Sequence, residues 1–367
     1  TRLITGRSQV QILSCPPLSL LIRRFRCIFH NSLSNFLNWI REKNDMTGSR
    51  WRNMQKPQSL SEAVFGPITF PSSSPFEIHH ILCKLDEAPE HPVFGSLLIP
   101  EFPSEEPMPC VIAVHGSLNW GGHHHEHIVR WLEAGMCVFR VHSFDSRKVY
   151  SVVEDQMQVT YAMMLADCYQ ALRLLSTHPS IDSDRIALAG WSLGGSVALY
   201  GAWEPIAEAL APDGERFAAH LCFYPAAHLR TEVQKWSEKP VLVLHGTEDD
   251  WVPIKLVEEL VKDISPHGAN ITLHAYDGAH HSFDSVEPLS FLPTAISIDD
   301  QRTVKIDSTG FMSGEIQPGV EMPLNEPEER LAVFQAIANL GVHKGVDWGA
   351  RKHSLDFASR FLRESLS

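Results

Sequence analysis

Gly190-Trp191-Ser192-Leu193-Gly194 sets a serine in a Gly-x-Ser-x-Gly turn between two apolar runs. Arg185-Ile186-Ala187-Leu188-Ala189 reads as a short buried strand, and Ser196-Val197-Ala198-Leu199-Tyr200 as the opening of a helix. A serine on so sharp a strand-to-helix turn carries its Oγ above the sheet, where a nucleophile must be. Gly190 and Gly194 are read as small because strand and helix cross there. A serine hydroxyl is a poor nucleophile near neutral pH. It needs a base within hydrogen-bond reach, and the base needs a carboxylate to fix its tautomer.

On a doubly wound sheet these partners come from loops after later strands, in the order Ser, Asp/Glu, His. The chain offers both in that order. His245-Gly246-Thr247-Glu248-Asp249-Asp250 follows the apolar run Val241-Leu242-Val243-Leu244, and Asp277-Gly278-Ala279-His280-His281 follows the run 271–276. Ser192 precedes Asp249 by 57 residues and Asp249 precedes His281 by 32, with Asp250 and His280 as adjacent alternatives. The chemistry also needs two N–H donors for an oxyanion, of which Leu193, next to the nucleophile, supplies one. The loop for the other is His115-Gly116-Ser117, after the run Cys110-Val111-Ile112-Ala113-Val114.

The elements that must position these groups alternate between strand and helix. The fold class is therefore α/β, a doubly wound, mostly parallel sheet with helices on both faces. Residues 110–114 are the expected central strand, and 76–83 with 93–100 an expected hairpin. Helices are expected near 124–134, 155–176, 254–264 and 354–365, with a strand at 136–141. Residues 284–326, rich in Pro, Ser, Asp and Gly, break the alternation and read as a long excursion near the active site.

The motifs resemble the dienelactone hydrolase family of the α/β-hydrolase superfamily over roughly residues 76–365. The pattern His-Gly-x-x-Asp-x-x-Val-Pro is met by His245, Gly246, Asp249, Val252 and Pro253, and the resemblance implies Asp249 as the acid. Gly-Ala-x-His-x-Phe is met by Gly278, Ala279, His281 and Phe283, which implies His281 as the base. Gly345-Val346-Asp347 and the helix ending Phe361-Leu362 also resemble the family's C-terminus. By resemblance the second oxyanion donor is the Ser117 amide. The family's founding enzyme uses a cysteine nucleophile and a glutamate in the oxyanion loop. Ser192 and His115-Gly116-Ser117 therefore imply a serine hydrolase of esters, lactones or thioesters, acting through a Ser-His-Asp triad and an acyl-enzyme. An acyltransferase or a non-catalytic ligand-binding protein of the same fold is the alternative.

Three further residues are candidate substrate contacts. Trp191 and Trp120 flank the site as pocket walls, with core packing as the bland alternative. His142 ends the 136–141 strand and faces the pocket or, alternatively, is a hydrogen-bonded loop histidine. His123-His124-His125-Glu126-His127 has histidines at i, i+4 but lacks the glutamate placement of a zinc helix. It is read as a solvent-facing or pocket-lining helix start. No metal or cofactor is expected.

The 367 residues carry a formal charge of −13, unevenly spread. Residues 1–56 hold ten Lys and Arg against Glu42 and Asp45, and the rest holds 21 basic and 42 acidic residues. So acidic a body disfavours nucleic acid as partner, and a small ester or lactone is expected instead. Seven scattered cysteines without a C-x-x-C pair suit a reducing, cytoplasmic setting. The apolar run 18–22 is too short to span a membrane. Gly6 to Leu13 reads like translated tRNA-gene sequence ahead of the first Met at 46. Residues 1–53 are therefore expected to be a non-native or disordered extension, with a basic membrane-surface segment as the alternative, and 54–367 the hydrolase domain.

Overall fold

The computed structural model describes residues 59, 60 and 62–367; the expected extension over 1–53 lies outside them. The described chain opens with strand β1 (Gly66–Ser73), helix α1 (Ile78–Cys83) and strand β2 (Glu90–Leu98), the two strands paired antiparallel. This corrects the expected hairpin. Residues 78–83 are helical, because Ile78 and Ile81, three apart, bury on one side of a single turn. The true partner of β2 carries Pro67 and Pro71, which a ladder tolerates because β1 is the sheet's edge.

There follow β3 (Met108–Val114), α2 (Gly122–Glu133), β4 (Cys137–Val141), α3 (Tyr161–Leu175), β5 (Ile181–Trp191) and α4 (Leu193–Tyr200). Helix α3 starts later than expected. Thr160 Oγ1 caps it by accepting from the Met163 N–H at 3.4 Å, while Asp155 is engaged in a turn with the Met157 amide at 3.0 Å. Next come β6 (Ala219–Phe223), β7 (Leu229–Thr231), β8 (Val241–Gly246), α5 (Ile254–Ile264) and β9 (Ile271–Tyr276). Helix α5 buries Leu256, Val257, Leu260 and Ile264, the single stripe of a helix on a sheet.

The main sheet has eight strands in the order β1-β2-β4-β3-β5-β6-β8-β9. Every pair from β4 to β9 is parallel. Side chains of β3 alternate between two cores. Cys110, Ile112 and Val114 join the apolar cluster on one face, and Val111 and Ala113 the cluster on the other. A strand buried on both faces must be apolar throughout, which is why it was legible. Burial of a side chain such as Ile112 contributes about 1.5–3 kcal/mol. This is the doubly wound α/β-hydrolase arrangement.

The register sets the level of the loops. Val114 lies opposite Gly190, Trp191 opposite Phe223, and Gly246 opposite Tyr276, so the strands' carboxyl ends line one edge. The expected excursion over 284–326 is a folded insertion that runs on to Lys344. It holds β10 (Ser290–Ile298), β11 (Val304–Ile306), β12 (Met312–Gln317), β13 (Val320–Pro323), α6 (Pro327–Ile337) and β14 (Ala338–Lys344). β10 pairs with β14, and β13-β12-β11-β7 form a small sheet. Helix α7 (Trp348–Ser365) closes the fold, its first turn capped by Asp347 accepting from the Ala350 N–H at 2.7 Å. Among the described residues no helix is long and apolar enough to cross a membrane.

Candidate active site

Ser192 joins β5 to α4 with φ +55°, a left-handed backbone that a residue with a side chain rarely adopts. The surroundings enforce this strain. Its N–H donates to the Phe223 carbonyl at 2.9 Å. A Cβ on Gly190 would run into the Gly194 carbonyl, and one on Gly194 into the Val114 and His115 carbonyls. The crossing inferred from the sequence is thus a backbone-on-backbone contact that only glycine permits.

A hydrogen-bonded chain leads away from Ser192. His281 Nε2 lies 2.9 Å from Ser192 Oγ, and His281 Nδ1 donates to Asp249 Oδ2 at 2.7 Å. The other carboxylate oxygen, Oδ1, accepts from the Trp251 and Val252 amides, each at 3.0 Å. Both His281 and Asp249 are buried. Burial alone would raise the Asp249 carboxyl, but the facing His281 and its hydrogen bond hold it below the ordinary carboxylate range. The His281 ring is held by Trp251 and Tyr224, with ring centres at 4.7 and 4.6 Å.

The alternatives are placed elsewhere. Asp250 Oδ2 accepts from exposed His343 Nδ1 at 2.7 Å, and the ring of His280 faces His343 at 5.9 Å.

The residues expected to carry the two oxyanion donors flank Ser192. Leu193 is the first residue of α4, where an N–H has no carbonyl four residues back within the helix. Ser117 sits in a tight turn closed by the Asn119 N–H on the Gly116 carbonyl at 3.0 Å. A Cβ on Gly116 would stand 3.2 Å from Ser192 Cβ, so this loop runs directly beside the serine. Ser117, Ser192 and Leu193 border one cavity. His115 is buried beneath, its Nδ1–H given to the Gly116 carbonyl at 2.9 Å, and burial lowers its pKa to about 4.

Of the expected substrate contacts, Trp120 borders a cavity at Ser192, with the Arg140 guanidinium 4.7 Å above its ring. Trp191 is wholly buried, stacked on Phe223 at 5.1 Å and Trp131 at 5.8 Å, and forms a floor under the site. His142 does not line either of these two cavities, and of its two expected readings the hydrogen-bonded loop histidine matches its contacts. Its Nδ1–H donates to Asp145 at 3.2 Å, its Nε2 accepts from Ser96 at 3.2 Å, and its ring stacks on Phe94.

No motif or spacing marks Asp284. This fully buried carboxylate accepts from Trp191 Nε1 at 3.1 Å and from the Tyr224 hydroxyl at 2.8 Å, with His127 Nε2 3.2 Å away. Burial alone would raise it; His123, His127 and His124 around it hold it well below the carboxylate range. Three histidines of α2, His123, His124 and His127, therefore act on this carboxylate, while His125 stacks on Trp120. Among the described residues no group of three or more His, Cys, Asp or Glu is placed to hold a metal ion.

Past Asp284 the chain enters the insertion, and it returns beside the same loop. The Gly345 N–H donates to the His281 carbonyl at 2.9 Å, Val346 to Glu287 at 2.8 Å and Asp347 to Phe283 at 3.0 Å.

A family model described as the dienelactone hydrolase family matches residues 102–303, a span that includes Ser192, Asp249 and His281. A probable 2-oxo-3-(5-oxofuran-2-ylidene)propanoate lactonase of a Bradyrhizobium species is 29% identical over 122 residues. That match covers 33% of this chain and 48% of the lactonase, so it spans about half the relative's length. Among solved structures, a putative dienelactone hydrolase from Klebsiella pneumoniae is similar at TM-score 0.43 and 18% identity, over 59% of this chain and 88% of that one. A thermophilic esterase from Thermogutta terrifontis with bound propionate follows at TM-score 0.41 and 17% identity, over 57% and 84%.

Proposed function

The chain belongs to the dienelactone hydrolase family, and on that footing we propose that it is a serine-dependent carboxylic ester hydrolase. Its substrates are esters, lactones or thioesters of small molecules. Ser192 Oγ attacks the carbonyl carbon while His281 Nε2 takes the hydroxyl proton. Asp249 keeps the other ring nitrogen protonated and stabilises the imidazolium. The negative oxygen of the tetrahedral intermediate is held by the Leu193 and Ser117 amides. The intermediate expels the alkoxide or thiolate, which takes its proton from His281, and an acyl-Ser192 ester remains. Water, deprotonated by His281, then releases the acid and restores the serine.

The observation that carries this reading is the unbroken chain Asp249–His281–Ser192, at 2.7 and 2.9 Å, on a backbone-strained elbow. Nothing in fold stability calls for a buried imidazole aimed at a strained serine. The test is hydrolysis of p-nitrophenyl acetate by the wild type and Ser192→Ala, with fluorophosphonate labelling of both. Loss of turnover and label in the variant is expected. Equal activity in the two would remove Ser192 from the mechanism, and a folded wild type that neither turns over nor labels would favour a binding protein.

A further inference from the structure

Ser192 stands between two cavities of different character. The inner one has about 820 Å³ of empty space counting its mouth, and its walls include Leu193, Leu229, Val252, Ile298 and Phe334. The outer one has about 950 Å³ on the same count, open solvent included, and its walls mix His123, Ser282, Glu287 and Lys344 with apolar Leu118 and Val286. Ser117 and Ser192 border both. His281 borders the outer cavity alone, and Leu193 the inner one alone.

That division has a chemical meaning, which rests on the serine hydrolase reading above. The group that protonates the leaving oxygen must stand on the leaving group's side of the scissile bond. With His281 on the outer side, the leaving alcohol belongs to the more polar cavity and the acyl group to the more apolar one. We propose that the protein selects esters of a neutral, apolar acyl group larger than butyryl with a polar alcohol, and that the insertion ending at Lys344 sets the acyl length.

The insertion supplies Ile296, Ile298, Val304, Leu324 and Phe334 to the inner chamber. Arg330, from α6, also borders it, but this cation is already engaged. It is buried and ion-paired to buried Glu77, beside Tyr161, whose hydroxyl donates to Glu77 at 3.5 Å. No other Lys or Arg lines the chamber among the described residues. His228, also on its wall, is neutral near pH 7, since burial lowers its pKa to about 4. An acyl carboxylate would lose its water and find no free positive charge.

The test compares p-nitrophenyl acetate, butyrate, octanoate and the suberic acid monoester on wild type, with fluorophosphonate labelling of the same samples. Octanoate is expected to exceed acetate, and also the suberate monoester, by about tenfold or more in kcat/KM. With octanoyl held constant, the glycerol monoester should be cleaved faster than the hexyl ester. Val304→Trp, which fills the chamber, should raise the acetate-to-octanoate ratio about tenfold, and Phe334→Ala should move the optimum to longer chains. An optimum at acetate, equal rates for octanoate and suberate, or a faster hexyl ester overturns the assignment while Ser192 still labels. Absence of labelling in folded wild type overturns the underlying hydrolase reading, and this inference with it.

Discussion

Trp191 and Asp284 lie 93 residues apart and are joined by a 3.1 Å hydrogen bond from the indole Nε1 to the carboxylate. One precedes Ser192 and the other follows His281 by three residues. Because Asp284 also accepts from Tyr224, whose ring packs on His281, a single carboxylate ties together the elbow, the loop after β6 and the His281 loop. Asp284→Ala leaves two buried donors without an acceptor. A loss of about 2–5 kcal/mol is expected in urea unfolding, with a fall in kcat from the loosened His281. A variant as stable as wild type would show that the tie is not structural.

Adjacent carboxylates give a sharp contrast. Asp249→Asn keeps the shape but favours the wrong imidazole tautomer, and kcat is expected to fall about 10⁴-fold. Among the described residues Asp250 pairs with His343, half exposed at the surface, so Asp250→Asn should change activity by less than about twofold. Steady-state rates on one ester decide it, and a reversed order would exchange the roles of the two residues.

Gly246, at the end of the strand that leads to Asp249, is pressed against the His281 loop. A Cβ there would meet the Ala279 carbonyl, two residues before His281. Gly246→Ala is expected to destabilise by about 1–3 kcal/mol. It should also lower kcat about 10²-fold by displacing the imidazole. Unchanged kcat in a folded variant would mean that the two loops move independently.

Stability should fall on mild acidification. His115, His220 and His228 are buried, and burial brings each from 6.5 to about 4. The unfolded chain binds protons below 6.5, whereas the folded one resists until about 4. Their contribution is therefore complete above 6.5 and is lost as pH falls from 6.5 to 4. Each histidine accounts for about 1.4 kcal/mol per pH unit in that window. Urea midpoints at pH 7.5 and 5.0 measure it. Equal midpoints would contradict the burial of these rings.

What could be read from the sequence was whatever depends on local pattern. Residues 110–114 and 241–244 are buried on both faces and so are continuously apolar, while α5 shows its period on one face. The serine turn announced itself because backbone collision forbids anything but glycine at 190 and 194. β1 was hidden by prolines that only an edge strand accepts. The insertion was hidden because strands such as β13 are mostly exposed and carry little apolar alternation. The Asp284 tie was invisible for another reason: an aspartate three residues past a histidine looks like any loop charge until the chain folds. His142 stayed open between two readings because a strand end over a sheet has two sides, and its side is filled by Phe94 and Ser96.

The insertion leaves and rejoins the body through backbone pairs that join 281–287 to 345–347. Its two roots are therefore neighbours. Roots so placed cost little loop entropy to close, so the segment can be exchanged between proteins as a cassette, provided that the incoming one also meets buried Glu77 and the edge of β7. The body would keep the serine, histidine and aspartate while successive grafts refashion the chamber above them. Chemistry and selectivity could then evolve on separate stretches of one chain.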